Sequence, residues 1–404
     1  MNTIELKPGI FWVGVNDHQT DFFEGLWPIK EEGVSYNSYL IKDEKNVIID
    51  LAKELSTEAL FKQIQKKTNL SDLDYLIINH IEPDHSGAIP ALLRHAPNLT
   101  LVGTQKTQAM LECFYGIDGR FLVANDGDEL PLGQHTLKFI CTPNVHWPET
   151  MMTYETSEQI LFSCDAFGSY GALHDGIFDD EVQNKDFYIQ EAQRYYANIV
   201  SLFKKAVISA IKKLSDLQVQ IIAPSHGLVW RKNPDEIVGL YQQWSEYCIS
   251  KFPRPASIVM LVGSMYGNTQ HFAEAVAQGA ADENVPLKMI DVLRTHASHI
   301  LSDVMVNEGL IVGAPTYEGA LYPPMAHILS ELAHKRFASE RTVARFGSYG
   351  WNGGGLRDFD EITACLRWEI SDSIEFCGGA TQDELAKARA FGAAYARLIK
   401  EKSA

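Results

Sequence analysis

The hexapeptide His80-Ile81-Glu82-Pro83-Asp84-His85 sets four metal-ligating side chains within six residues, directly after the apolar run Tyr75-Leu76-Ile77-Ile78. In an extended backbone His80, Glu82 and Asp84 project to one side at period two, and Pro83 biases Glu82 towards that conformation. His85 adds a fourth donor at a different angle, so the cluster could serve two ions at once. By itself the cluster also fits a solvated turn, or an N-cap before Ser86-Gly87-Ala88. Further donors follow other apolar runs: His146 after Cys141-Thr142-Pro143, Asp165 after Leu161-Phe162-Ser163-Cys164, and His226 after Ile222-Ala223-Pro224-Ser225. Their shared position after strand-like runs points to one site assembled from several strand ends. Mixed imidazole and carboxylate donors suit iron and leave positions open for a small molecule.

A second group of candidates lies in three loops nearer the carboxyl end. Ser264-Met265-Tyr266-Gly267-Asn268-Thr269 follows an apolar run and opens a helical stretch. Hydroxyls and backbone N–H groups at a helix amino end cradle a phosphate. The loop lacks the Lys-[Ser/Thr] ending of a triphosphate-binding loop and the G-x-G-x-x-G of a dinucleotide site. Ala314-Pro315-Thr316-Tyr317-Glu318-Gly319 and Gly347-Ser348-Tyr349-Gly350-Trp351-Asn352-Gly353 carry aromatics beside glycines. Aromatic faces stack on a flat ring system, and glycine lets backbone donors approach its edge.

The elements that must position these residues fall into two parts. Phe252-Pro253-Arg254-Pro255, with two prolines in four residues, reads as a connector between domains at 1–250 and 255–404. In the second part the runs Ile258–Val262, Leu310–Val312 and Thr342–Phe346 alternate with helical stretches from Gln270, through Leu332, and from Gln382 to Lys400. Continuous apolar strands between helices predict a parallel sheet covered on both faces, with ligands at the strand carboxyl ends. The first part predicts a hairpin at 39–50, a helix over 57–67, further strands at 75–78, 101–103, 137–140, 160–163 and 220–223, and a long helix over 190–214. Strands in two groups with helices outside predict a layered sandwich.

Composition excludes other classes. Thirty-five basic against 52 acidic residues give a net charge of −17 with no basic block, so neither nucleic acid nor an anionic membrane surface is an expected partner. From Arg254 onward there are 14 basic and 18 acidic residues, leaving 21 and 34 before it, so the acidity concentrates in the first part. Six cysteines show no C-x-x-C spacing, which disfavours a zinc ribbon, a rubredoxin-like centre or a thioredoxin site. Without a signal-peptide pattern or an apolar span, the expected location is cytoplasmic.

The ordered set His80-x-Glu82-x-Asp84-His85, His146, Asp165 and His226, with Trp147-Pro148-Glu149, Tyr195-Tyr196-Ala197-Asn198 and His226-Gly227, resembles the signature of the flavodiiron proteins. The likeness covers essentially the whole chain. It implies a metallo-β-lactamase-like αββα sandwich followed by a flavodoxin-like doubly wound parallel sheet. It further implies one iron held by His80, Glu82, His146 and bridging Asp165, and a second by Asp84, His85, His226 and the same Asp165. The three carboxy-terminal loops resemble the phosphate and ring-binding loops of flavodoxins and imply FMN, although Tyr266 replaces the more usual hydroxyl residue. Two ferrous ions and one reduced flavin hold four electrons, which matches reduction of dioxygen to water, and nitric oxide reduction to nitrous oxide fits equally. The resemblance implies a head-to-tail homodimer, or a dimer of dimers. It also implies an external electron donor such as a rubredoxin-type protein, a reductase or a reduced deazaflavin. The alternative is a zinc-dependent hydrolase of the same sandwich fold with a fused flavodoxin module.

Overall fold

Tyr39–Ile41 and Val47–Ile49 form the expected antiparallel hairpin, with Tyr39 opposite Ile49. All six residues are buried, and the hairpin sits in the middle of a seven-stranded sheet. In this computed structural model, which describes residues 2–249, 254–336 and 338–403, Val47–Ile49 then pairs in parallel with Tyr75–Ile77. Tyr75–Ile77 pairs in parallel with Thr100–Gly103. A second, five-stranded sheet has the order Glu129–Pro131, Thr136–Cys141, Met151–Glu155, Ile160–Cys164, Ile221–Pro224. The sheets meet through the rings of Tyr39 and Phe162, 5.0 Å apart, and through the Tyr39 hydroxyl, which donates to the Pro224 carbonyl. Helices bury one face each: Thr57–Gln65 through Leu60, Phe61 and Ile64, and Lys204–Leu214 through Val207, Ala210 and Leu214. Helix, sheet, sheet, helix is the layered sandwich expected.

The long helix expected over 190–214 is interrupted. An α-helix Lys185–Tyr195 passes into a π-turn Tyr196–Val200 and a 3₁₀ turn Ser201–Phe203 before Lys204–Leu214 resumes. Such bulges concentrate at functional sites, and here Tyr195, just before it, lies with its ring centroid 5.8 Å from that of His226.

The chain divides into two units, Met1–Gln242 and Gln243–Ala404, at a point inside the helix Pro234–Cys248. Phe252 and Pro253 of the anticipated connector lie outside the described residues.

The second unit is a five-stranded, fully parallel sheet in the order Leu287–Asp291, Ile258–Val262, Gly309–Gly313, Thr342–Tyr349, Glu369–Cys377. Numbered along the chain this is 2-1-3-4-5, and the order reverses between its first and third strands, where a ligand crevice opens. Helices Asn268–Asp282 and Gln382–Ser403 pack so closely that a Cβ on Gly279 would meet the Arg389 carbonyl at 1.9 Å. Gly392 reciprocates against the Val276 carbonyl at 2.0 Å, so glycine is required at both crossing points. Thr342–Tyr349 is longer than its apolar run indicated. Gly347, Ser348 and Tyr349, expected in a loop, continue the strand because they pair with Glu375, Phe376 and Cys377.

Candidate functional site

The strand Tyr75–Ile77 delivers Asn79, whose backbone N–H and side-chain amide both donate to Asp50, at 2.8 and 3.1 Å. His80 follows, fully buried. The extended backbone expected across the hexapeptide holds only as far as Glu82 (ψ 141°), because Pro83 starts a short helix, Pro83–Ser86. Proline at a first helical position costs no hydrogen bond and presets φ. Asp84 and His85 therefore ride on a helical turn instead of alternating with Glu82. That turn separates the hexapeptide into two donor groups.

His80, Glu82, His146 and Asp165 offer ligand atoms that all lie within 4.8 Å of one another, and Asp84, His85 and His226 form a second such group. Asp165 faces both. Its Oδ2 is 3.1 Å from His146 Nε2 and 3.5 Å from His80 Nε2, while Oδ1 is 3.1 Å from His85 Nε2 and 3.3 Å from His226 Nε2. All seven residues expected from the sequence are thus brought together, His85 included. The buried Nε2 atoms of His85 and His226, both oxygens of Asp84 and Oδ1 of Asp165 have no hydrogen-bond partner. Buried polar atoms are seldom left so. Donors that converge this closely without hydrogen-bond alignment fit cations placed between them.

In the second unit, Gly267 (φ 92°) turns the chain into the helix Asn268–Asp282, and Ser264 Oγ accepts the Gly267 N–H at 3.1 Å. The loop N–H groups thus face an oxygen, the arrangement a phosphate would use. Thr316–Tyr317 and Ala320–Leu321 pair across Glu318 (φ 50°) and Gly319 (φ 80°), the two left-handed residues of a tight hairpin. Thr316 Oγ1 accepts the Gly355 N–H at 3.0 Å and ties this hairpin to the chain beyond Trp351. Thr316, Glu318, Gly319, Gly350, Trp351 and Asn352 line a cavity of about 350 Å³. Trp351 is 82% exposed there, a flat apolar face without cover. Tyr317, 41% exposed, packs near Tyr322 and is not part of the lining. Of the phosphate-loop residues Tyr266 is 91% exposed and Thr269 is buried, its hydroxyl 2.9 Å from that of Ser348.

Residues 34–227 match the ODP family beta lactamase, and residues 260–392 match the flavodoxin family. The chain is 35% identical to the anaerobic nitric oxide reductase flavorubredoxin of Escherichia coli, over 98% of this chain and 82% of that protein. It belongs to the flavodiiron protein family. Solved structures agree. The flavodiiron protein of Giardia intestinalis superposes with a TM-score of 0.94 at 26% identity, covering 100% of this chain and 98% of that one. Rubredoxin oxygen:oxidoreductase from Desulfovibrio gigas superposes at 0.93 with 26% identity, over all of both chains.

Three groups around this flavodiiron centre have roles that the motif does not assign. Glu149 is wholly buried and its Oε1 lies 2.5 Å from His80 Nδ1. The Ser35 carbonyl accepts from His226 Nδ1 at 2.7 Å. Each contact fixes the tautomer that leaves Nε2 free to face the donor cluster. Asp50 lies behind Asn79 and holds the strand end. Glu149 stands in the stretch Trp147-Pro148-Glu149, whose residue types alone assign it no role, whereas a backbone carbonyl such as Ser35's carries no side-chain signal.

The electrostatics are those of a site that awaits positive charge. Burial alone would lower the histidines, but the surrounding carboxylates outweigh it. Glu149 and Glu82 carry His80 up to about 10, and Asp165 and Asp84 carry His226 to about 10. Asp84 and Asp165 raise His85 to about 9, and Asp165 and Glu82 raise His146 to about 9. Burial pushes Glu82 and Asp165 upward, yet the imidazoles hold both well below the usual carboxylate range. Protons on the rings play the part that cations would take.

Proposed function

We propose that this flavodiiron protein passes electrons from an external donor through FMN in its second unit to a non-haem diiron centre in its first, reducing dioxygen to water, nitric oxide to nitrous oxide, or both. The observation that carries the reading is Asp165, whose two oxygens face two separate donor groups, each completed by two histidines and a carboxylate. On this reading 1–250 is the metal-binding module and 255–404 the flavin module.

Bound FMN and iron would supply electron transfer and an open coordination position for a small gas. The chain's own residues do the rest. His80, Glu82 and His146 would hold one iron and Asp84, His85 and His226 the other, with Asp165 between. Glu149 and the Ser35 carbonyl keep the ring protons on Nδ1 of His80 and His226. In the second unit the N–H groups of 264–269 would bind the FMN phosphate, Trp351 would cover the ring, and the backbones of 314–319 and 350–353 would meet its edge. Thr269, Ser348 and Thr316 tie these loops together.

Two exposed apolar rims support a head-to-tail pair of chains. Phe22, Leu55 (90% exposed) and Phe114 surround the cavity that reaches Glu82 and Asp84. Tyr266 and Trp351 project at the flavin site. A second copy's flavin loops seated over the metal cavity would bury both. Rubredoxin-type protein, reductase or reduced deazaflavin remain the candidate donors, and the cytoplasm the proposed location. No helix among the described residues is long and apolar enough to cross a membrane.

The experiment is to reduce the purified protein without oxygen, mix it separately with dioxygen and nitric oxide, and follow each gas with its electrode beside iron, zinc and FMN analysis. Two irons and one FMN per chain with turnover of either gas supports the reading. Zinc in place of iron, with no gas consumed, would hand the site to the hydrolase alternative.

A further inference from the structure

Reduction of either gas consumes protons as well as electrons, so the closed site needs a path for them. A cavity of about 810 Å³ runs from solvent to Glu82 and Asp84, the two acidic side chains of the centre that are not fully buried. Few of its ionisable walls can pass a proton. Lys53 is engaged by Asp17 and Thr20. Arg94 is engaged by the Pro90 carbonyl, to which it donates. Burial, with Asp84 nearby, pushes the phenols of Tyr36 and Tyr115 above their usual range. Two carboxyls remain, Glu24 and Glu54.

Glu54 adjoins the helix Pro83–Ser86 through its backbone, beside Gly87, whereas the carboxyl of Glu24 faces Glu82, His146 and Asp84. Glu24 opens the turn between the short strands Phe22–Phe23 and Trp27–Pro28, in a left-handed conformation (φ 52°) uncommon outside glycine. Its neighbour Phe23 packs edge-on against the His226 ring, with centroids 5.4 Å apart, and against Tyr195 at 6.0 Å. Trp27, buried, donates from Nε1 to Glu24 Oε2 at 3.2 Å, which leaves Oε1 to carry a proton. The hairpin thus fixes a carboxyl between water and the donor cluster.

We propose that Glu24 is the proton donor of this cavity, delivering to the substrate oxygen and refilling from solvent. The inference rests on the gas-reductase reading. In each delivery the Glu24 O–H bond breaks and an O–H bond forms on the oxygen being reduced. The electrons come from the reduced cofactors, and the carboxylate takes a new proton from water at the cavity mouth. Four deliveries accompany four electrons per dioxygen reduced to two waters. Two accompany two electrons when two nitric oxides become nitrous oxide and water. In the metal-free protein partial removal from water and the carboxylates of Glu82 and Asp84 raise Glu24 to about 7, against the lowering effects of His146 and of the Trp27 hydrogen bond. Burial raises the phenol of Tyr170, which packs against the same hairpin, and Glu24 adds to that rise. A general acid works best with its pKa near the working pH.

The test compares wild type with E24Q, E24D and the control E54Q, all with iron and FMN content verified. Fully reduced protein is mixed with dioxygen in weak buffer containing a pH-indicator dye, and proton uptake is timed beside reoxidation. E24Q should slow both by at least about tenfold, E24D should recover part of the loss, and E54Q should match wild type. Independently, infrared difference spectra of the metal-free protein between pH 5 and pH 8.5 should show a carboxyl C=O band that E24Q lacks. Wild-type proton uptake in E24Q, beside a wild type that consumes gas, overturns the role of Glu24 and leaves the reductase reading standing. An infrared band unchanged by E24Q overturns it as well.

Discussion

Glu149 Oε1 lies 2.5 Å from His80 Nδ1 and also accepts the Ile81 N–H at 3.1 Å, so one buried carboxylate fixes both the ring of a histidine in the donor cluster and the backbone N–H of the residue after it. The contact settles which nitrogen of His80 faces the cluster. It also adds negative charge behind the ring, which strengthens it as a ligand.

Glu149→Gln should therefore weaken iron binding about 10- to 100-fold without touching any donor of the cluster. Iron remaining after dialysis against graded chelator measures this, with FMN content as the control. Unchanged iron retention would reduce Glu149 to a packing residue.

Asp165→Ala should be more damaging than Glu82→Ala. Asp165 faces His80 and His146 through one oxygen and His85 and His226 through the other, whereas Glu82 faces only His80 and His146. The expected result is loss of both irons in the first variant and preferential loss of one in the second, with FMN retained in each. Iron and flavin stoichiometry per chain reads it directly.

Metal binding should release protons. In the metal-free protein His85 and His146 stand at about 9 and His80 and His226 at about 10, all raised from 6.5. Their contribution to stability is fully present below about pH 6.5 and is lost as pH rises through 9 to 10. Glu82 and Asp165 are lowered, so theirs is present above the ordinary carboxylate range and lost as pH falls below it. The metal-free protein should thus melt at lower temperature above pH 9, and iron should remove that alkaline decline. At pH 7, adding ferrous ion without oxygen should acidify a weakly buffered solution as the rings give up their protons. No proton release on loading would contradict histidine ligation.

Trp351→Ala should weaken FMN binding by about 1 kcal/mol, roughly fivefold, as expected for loss of one stacked aromatic face. Tyr317→Ala should have a smaller effect, because Tyr317 does not line the ring cavity and packs near Tyr322. Flavin fluorescence titration of the flavin-free variants orders the two. The reverse order would place the ring on the opposite wall.

The amino-acid sequence by itself determined the donors and the elements beneath them. Apolar runs such as Tyr75–Ile77 and Ile258–Val262 are buried on both faces of their sheets, and that burial makes them legible as strands without any knowledge of their neighbours. Residue type made His80, Glu82, Asp84, His85, His146, Asp165 and His226 legible as candidate ligands, and the fold brings them together. What the sequence misjudged was local conformation decided by partners. Pro83 turned the second half of the hexapeptide into a helical turn, and pairing with Glu369–Cys377 drew Gly347–Tyr349 into a strand. Only the tertiary structure could decide the rest. That Asp165 presents one oxygen to each donor group depends on where separate strands end in space. That Ser35 fixes His226 depends on a carbonyl 191 positions away. That Glu24 reaches the cavity depends on a hairpin packed on His226 through Phe23. Spacing along a chain carries residue chemistry, but direction and proximity arise when the sheets pack.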